Sequence, residues 1–167
     1  MMYRIGMYGG KFCPMHKGHR HVLEKAMREC DTVYVFLFRN TLEERMCRKW
    51  FTEPSFRYYQ IMHSAEAIKH EDFLTTDVKV HMIDSMQFMT NGVENWYAEA
   101  EYMKSMIEPQ HFDAVYSSEM AYDSFFKSCY PEAVHVMVDP GRSENPVSST
   151  ALRSLDGTDE ELIRWLA

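Results

Sequence analysis

No apolar run in this 167-residue chain approaches the roughly 20 residues that a bilayer-spanning helix requires, so no membrane partner is expected. Its start, Met1-Met2-Tyr3-Arg4, leads straight into a strand-like run and lacks the apolar core of a secretory leader. Basic charge is also short. Lys and Arg number 18 against 25 Asp and Glu, a net charge of −7, so neither nucleic acid nor an anionic lipid surface would be drawn to the molecule as a whole. The few cysteines, Cys13, Cys30, Cys47 and Cys129, form no close pairing motif. That pattern favours reduced thiols in the cytoplasm over a disulfide framework. Internal repeats, low-complexity tracts and linkers are missing too, and residues 1–167 are read as a single domain.

What is present is apolar and aromatic bulk, 46% hydrophobic residues and 14 Met, enough for a sizeable core. Ile5 to Tyr8 is a short strand-like run, and Thr32 to Phe38 is a continuous apolar one that suits a strand buried on both faces. Between them His19 to Cys30 is amphipathic, so strand, helix and strand imply a parallel pair. Arg39 to Phe51 reads as a polar, irregular loop. After Pro54, the residues Tyr58, Ile61, Met62, Ala65 and Ile68 recur at helical spacing. Val78, Val80 and Met82 alternate as a strand should, Asp84 to Glu94 reads as a loop, and Trp96 to Ile107 is a helix stopped by Pro109. Asp113 to Tyr116 is a fourth strand, Glu119 to Cys129 a helix and Ala133 to Val138 a fifth strand. Ser148 or Ser149 can cap the turn carrying Arg153, and Thr158 with Glu161 forms a capping box for a last helix. Alternating elements of this kind predict an α/β fold: a Rossmann-like, doubly wound parallel sheet of about five strands with helices on both faces.

The loop Gly9-Gly10-Lys11-Phe12-Cys13-Pro14-Met15-His16-Lys17-Gly18-His19 connects the first strand to the first helix. Two glycines allow a ligand close to the backbone, and two imidazoles stand beside a helix N-terminus whose free N–H groups and partial positive charge attract phosphate. Lys11 and Lys17 can add charge there. In a doubly wound sheet this loop lies at the carboxyl ends of the strands, where ligands bind. Glu119 and the stretch Asp139 to Arg153 follow other strands and fall on the same rim.

This loop, with its His16-Lys17-Gly18-His19, resembles the His-x-Gly-His signature of the nucleotidyltransferase superfamily. Val147-Ser148-Ser149-Thr150-Ala151-Leu152-Arg153 is similar to that superfamily's second signature, Ile-Ser-Ser-Thr-x-x-Arg. The two lie about 130 residues apart at opposite ends of the domain, and their pairing is specific. Within the superfamily the chain looks most like nicotinamide mononucleotide adenylyltransferases, above all the adenylyltransferase domain of the bifunctional bacterial NAD regulator. That likeness rests on Gly10-Lys11-Phe12, Tyr116-Ser117-Ser118-Glu119 and Val138-Asp139-Pro140-Gly141-Arg142. The chain contains no Gly-x-x-x-x-Gly-Lys-Ser/Thr loop, so the regulator's kinase activity is not implied. Nor is its repressor role, and the poorest match is Arg39 to Asn95.

The resemblance implies transfer of AMP from ATP to a mononucleotide phosphate, giving NAD and pyrophosphate by one in-line displacement. It implies His16 and His19 on the ATP phosphates and Lys11 and Arg153 on the β- and γ-phosphates. Ser148, Ser149, Thr150 and Arg142 would add donors. Gly9, Gly10, Phe12 and Gly18 would shape the nucleotide loop, and Ser118 and Glu119 would contact the nucleoside. Mg²⁺ would ride on the ATP phosphates without a protein metal site. Trp96 could stack on a nicotinamide ring.

Plainer readings stand beside these. Cys13, His16 and His19 crowd one loop without the second pair a zinc site uses. Ser148 to Thr150 is an ordinary cap, Arg153 an ordinary surface residue, and Glu119 a favourable first-turn charge. Trp96 lies on an apolar helical stripe and could be core, and the Arg39 to Lys49 cations could be a solvated loop. Phosphopantetheine, FMN or glycerol 3-phosphate are rival acceptors, a non-turnover ATP or NAD sensor is the rival class, and a homo-oligomer is compatible with the sequence. Small molecules are the expected partners.

Overall fold

The computed structural model describes residues 1–47, 49–155 and 160–167. In chain order the elements are β1 (Tyr3–Gly10), α1 (Lys17–Glu29), β2 (Cys30–Arg39), α2 (Thr41–Met46), α3 (Pro54–Asp72) and β3 (Asp77–Asp84). There follow a hairpin of β4 (Met89–Thr90) and β5 (Val93–Glu94), then α4 (Trp96–Lys104), β6 (Ala114–Ser117), α5 (Asp123–Cys129), β7 (Val134–Met137), α6 (Ser149–Arg153) and α7 (Glu160–Trp165). The main sheet has five strands in the order β3-β2-β1-β6-β7, all pairs parallel. This is the doubly wound Rossmann-like arrangement that the alternation of elements predicts.

Val33 to Leu37 is apolar throughout because β2 lies inside the sheet and both its faces are covered. On one face α1 and α3 pack Val22, Leu23, Ala26, Met27, Ile61, Ala65 and Ile68 over the sheet. On the other, α4 and α5 contribute Ala100, Met103 and Cys129 against Ile5, Met7, Phe36 and Ile83. A satellite core of Phe51, Val147, Leu152 and Leu162 lies under α6 and α7. Among the described residues no helix is long and apolar enough to cross a membrane, and all four cysteines are free.

The winding reverses at β1. Its pairing with β6 stops at Tyr8 opposite Tyr116, while its pairing with β2 runs on to Gly10 opposite Leu37. A crevice therefore opens at the carboxyl end between β1 and β6, where ligands bind in such sheets.

Several local expectations need correction. Arg39 to Phe51 is not an irregular loop: it contains α2, whose Asn40 cap accepts from Leu42 and Glu43 amides at 3.1 Å. The helix buries none of its residues, so it carries no apolar stripe that could announce it. Two of the basic residues there, Arg39 and Lys49, make structural contacts. Arg39 pairs with Glu44 at 3.0 Å, and the Lys49 ammonium donates to the carbonyls of Arg153 and Leu155 at 2.5 and 2.7 Å, closing the C-terminus of α6. The loop after β3 contains a 3-10 turn, Ser85–Phe88, and the small hairpin. Helix α4 ends at Lys104, and Met106 and Ile107 close 3-10-type bonds back to Met103 and Lys104. The segment from Glu119 opens with a 3-10 turn, Met120–Tyr122, before α5 begins. Ser148 is the cap of α6, accepting from the Ala151 amide at 3.2 Å. The capping box expected of Thr158 and Glu161 involves a residue outside those described.

Candidate active site

The β1–α1 loop is held from below. Phe12 takes a positive φ of 46° and turns its ring into the core at 1% exposure, where it meets Tyr8 and His19 edge-on at 5.1 and 5.0 Å. The ring also fills the space beneath Gly10, where a Cβ would come within 3.2 Å of it. Arg57 of α3 is 2% exposed. It donates to the Lys11 carbonyl at 2.8 Å and to Glu44 of α2 at 2.5 Å, so one buried guanidinium braces both loop and rim. The strand-like bridge between His16 and Leu166 and the Gln60 amide on the Met15 carbonyl at 3.4 Å fix the loop's far end.

His16 is the N-cap of α1 and His19 its third residue, and together they form a reciprocal capping box. His16 Nδ1 accepts from the Gly18 amide at 3.1 Å, and His19 Nδ1 accepts from the His16 amide at 3.2 Å. The rings stack, with centroids 3.8 Å apart. Because each Nδ1 is an acceptor, each neutral ring carries its proton on Nε2 and presents an N–H donor. Burial, reinforced by the positive charge of Arg142, drops the His16 pKa to about 4. His19 is held well below its usual value by burial, then by His16 and Arg142. Both rings are thus neutral donors at a helix N-terminus, a site built for a phosphate oxygen. Gly18 is needed here, since a Cβ on it would meet His16 Cε1 at 3.0 Å.

The second signature is stitched to this loop. Ser149 donates to the Pro14 carbonyl at 3.0 Å. Arg153 donates to the Cys13 carbonyl at 2.8 Å and to Thr150 at 3.2 Å. The other cations wait in ion pairs: Lys11 with Glu43 of α2 at 2.8 Å, and Arg142 with Glu119 at 2.5 Å. Asp139 orders the loop carrying Arg142 by accepting from Ser143, Glu144 and Asn145 amides at 2.8 to 3.2 Å.

All of these open onto one cavity of about 680 Å³ that crosses the carboxyl edge of the sheet. Gly9, Gly10, Lys11, Phe12, His16, Gly18, His19, Ser118, Glu119, Arg142, Ser148, Ser149, Thr150, Arg153 and Trp96 all line it. Lys17, offered as an added charge, is exposed and is not among the lining residues. The α1 N-terminus reaches the cavity from one face of the sheet, and α4 and α5 reach it from the other. Trp96 is the first residue of α4, half-buried, stacked on Phe125 at 4.9 Å and tilted against Tyr122 at 5.2 Å. It is both a partner of the core and a wall of the cavity.

Sequence reasoning missed Arg57, Glu94 and Glu99. Arg57 precedes Ile61 by four residues, so it stands in phase with the buried stripe of α3, which is a readable sign. Glu94 and Glu99, on either side of the Asn95 cap of α4, line the cavity beside Trp96, and no local pattern announces them. Among the described residues no group of three or more His, Cys, Asp or Glu could hold a metal. A divalent ion carried by phosphate oxygens and water needs none.

A doubly wound sheet with stacked histidines capping its first helix, and with a Ser-Ser-Thr-x-x-Arg turn on the same crevice, defines a nucleotidyltransferase-type site. Residues 7–155 match the family model described as cytidylyltransferase-like, and the chain belongs to that family. Proteins of similar sequence include the phosphopantetheine adenylyltransferase of Lactococcus lactis, 24% identical over 99% of this chain and 91% of its own. That of Mycoplasma capricolum is 27% identical over 92% and 96%. Solved structures of similar fold include a NadR protein in complex with NAD and AMP-PNP, at 22% identity and TM-score 0.56 over 91% of this chain. Another is a bifunctional NMN adenylyltransferase/ADP ribose pyrophosphatase from Francisella tularensis, at 16% identity and TM-score 0.59 over 92%. The chain spans 42% of each of those two longer proteins. The nucleotidyltransferase assignment therefore stands, and the sequence relatives carry the acceptor name that sequence reasoning ranked as a rival.

Proposed function

We propose that the protein is an adenylyltransferase that joins the AMP moiety of ATP to nicotinamide mononucleotide, releasing pyrophosphate. The observation that carries this is the single cavity joining two stacked neutral histidines at a helix N-terminus to an aromatic wall formed by Trp96. The acceptor phosphate, already ionised near neutral pH, attacks the α-phosphorus of ATP. The bond to the bridging oxygen of pyrophosphate breaks on the opposite side. Such a displacement needs positioning and charge neutralisation more than a base.

His19 and His16 donate Nε2–H to the α-phosphate and its neighbouring oxygens, where charge grows in the transition state. Lys11 and Arg142 exchange their carboxylate partners Glu43 and Glu119 for phosphate. Arg153, tied by one arm to the Cys13 carbonyl, keeps further N–H donors for the β- and γ-phosphates. The backbone and hydroxyls of Ser148 to Thr150 at the start of α6 complete the cradle. Mg²⁺, when bound through the phosphate oxygens, supplies additional charge neutralisation. Ser118 and Glu119, beyond β6, face the nucleoside, and Trp96 stacks on the pyridine ring.

The second reading, phosphopantetheine as acceptor, is favoured by the names of the sequence relatives. Incubation with ATP, Mg²⁺ and a panel of nicotinamide mononucleotide, nicotinate mononucleotide, phosphopantetheine, FMN and glycerol 3-phosphate separates them. The expected result is pyrophosphate together with a pyridine dinucleotide. Dephospho-coenzyme A as the product would establish the second reading, and no product with any acceptor would revive the reading as a nucleotide sensor.

A further inference from the structure

The α4 end of the cavity holds two carboxyl groups that phosphate chemistry does not use. Glu99, on the first turn of α4, is 7% exposed, lines the cavity, and its Oε2 has no hydrogen-bond partner among the described residues. Glu94, half-buried at the end of β5, lines the same wall and faces it. Burial, then the hydrogen bond and negative charge of Glu94, push the Glu99 carboxyl up to about 9. At neutral pH Glu99 therefore keeps its proton beside the Glu94 side chain.

Among the described residues no free cation stands beside the two carboxyl groups. Lys104 of the same helix is held by Glu101 at 2.8 Å and lies over the Tyr130 ring at 5.6 Å. Cys129 and Tyr130 face the pair as neutral groups, each with its pKa raised, chiefly by burial. Trp96, Met103, Phe126 and Tyr130 make the surroundings largely apolar, which strengthens any charge interaction there. Glu99 Oε2 is buried at the wall of the cavity with no partner among the described residues, a hydrogen-bonding capacity left unmet.

We propose that Glu94 and Glu99 select the acceptor by its remote end, taking an N–H donor or cationic ring and rejecting a carboxylate. This rests on the adenylyltransferase reading for a pyridine mononucleotide. A carboxamide on a cationic ring offers both complementary features. The corresponding acid would set a second negative charge against the pair in a poorly screened site. Discrimination between two molecules that differ at one group follows from that repulsion.

The test compares kcat/KM for nicotinamide and nicotinate mononucleotides at pH 7 in three proteins. These are the wild type, Glu94→Gln, and the double variant Glu94→Gln with Glu99→Gln. The wild type should favour the amide by about tenfold or more, the scale of one uncompensated like-charge contact. Glu94→Gln leaves Glu99 protonated by burial and so removes the charge. It should bring the ratio to within about twofold of parity, mainly by improving use of the acid, with the KM for ATP unchanged within about twofold. The double variant should do the same, and thermal melts confirm that each is folded. A wild-type preference for the acid, or an unchanged ratio in the folded variants, overturns the selector while leaving adenylyl transfer to a pyridine nucleotide intact. Turnover of phosphopantetheine with neither pyridine nucleotide used overturns the underlying reading, and the selector with it.

Discussion

The His16–His19 capping box makes the phosphate site acid-sensitive in a way that can be measured without substrate. His16 titrates near 6.5 when unfolded and at about 4 in the folded protein, because protonation would bury a charge beside Arg142 and break the Nδ1 bond to the Gly18 amide. Between those values the unfolded chain binds the extra proton. This increment of stability is therefore fully present above pH 6.5 and drains away as pH falls towards 4. At about 1.4 kcal/mol for each pH unit, His16 alone removes about 3 kcal/mol over that window. The substitution His16→Asn retains an N-cap acceptor of comparable quality, about 1 kcal/mol or less from the wild type at pH 7.5, and does not titrate.

Urea unfolding at a series of pH values from 4 to 7.5 reads this directly. Carboxylates titrate alike in both proteins, so the difference between their stability curves isolates the histidine. With a slope of about 2 kcal/mol per molar urea, the wild-type midpoint should fall by about 1.5 M more than that of the variant across the window. Parallel curves would refute the neutral-histidine site, and with it the assignment of the Nε2 protons as phosphate donors. The variant should also lose about 100-fold or more in turnover at pH 7.5, because the donor to the reacting phosphates is gone while the helix cap remains.

Lys11→Ala should raise the KM for ATP several-fold and change the urea midpoint by less than about 0.5 kcal/mol equivalent, since the Lys11–Glu43 pair is exposed. Trp96→Ala should weaken binding of the pyridine mononucleotide, read by calorimetry, by about 0.5 to 2 kcal/mol, while ATP binding holds; equal losses for both would make Trp96 a core residue only. Gly6→Ala sets a Cβ 2.5 Å from Cys30 Sγ and should destabilise by about 1 to 3 kcal/mol. Gly141→Ala, with nothing within 4 Å of its Cβ, should melt within a degree or two of the wild type.

The parallel sheet and the phosphate loop were legible because each rests on local pattern, whereas the strand order and its reversal at β1 appear only in the structure. Val33 to Leu37 reads as a doubly covered strand, and His16 and His19 differ by three residues, the spacing of a capping box. Other features depend on contacts between distant parts of the chain. Helix α2 has a polar cap but no buried residue, and Glu44 holds it through Arg39 and through Arg57, which is thirteen positions further on. Trp96 was visible as a candidate wall, yet its stacking on Phe125 requires α5 to fold back on α4. The Glu94–Glu99 pair is close in sequence, on either side of the Asn95 cap of α4, but its place on the cavity wall depends on how α4 packs over the sheet.

That division also accounts for the two kinds of relative. The phosphate end is assembled from β1, α1 and α6, and its chemistry is the same whichever phosphate attacks, so matching across residues 7–155 identifies the family without identifying the acceptor. In the proposed reading the acceptor end is the part of the cavity on the opposite face of the sheet, lined by Glu94, Trp96, Glu99 and Tyr130. It can be rebuilt by changing a hairpin and one helical turn without disturbing the cradle. Under the proposed reading, substrate choice then rests on these four side chains more than on the overall identity of 24% to a phosphopantetheine enzyme. Exchanging those four should move acceptor preference by more than any substitution among Lys11, His16, His19 and Arg153, which should slow transfer to every acceptor alike.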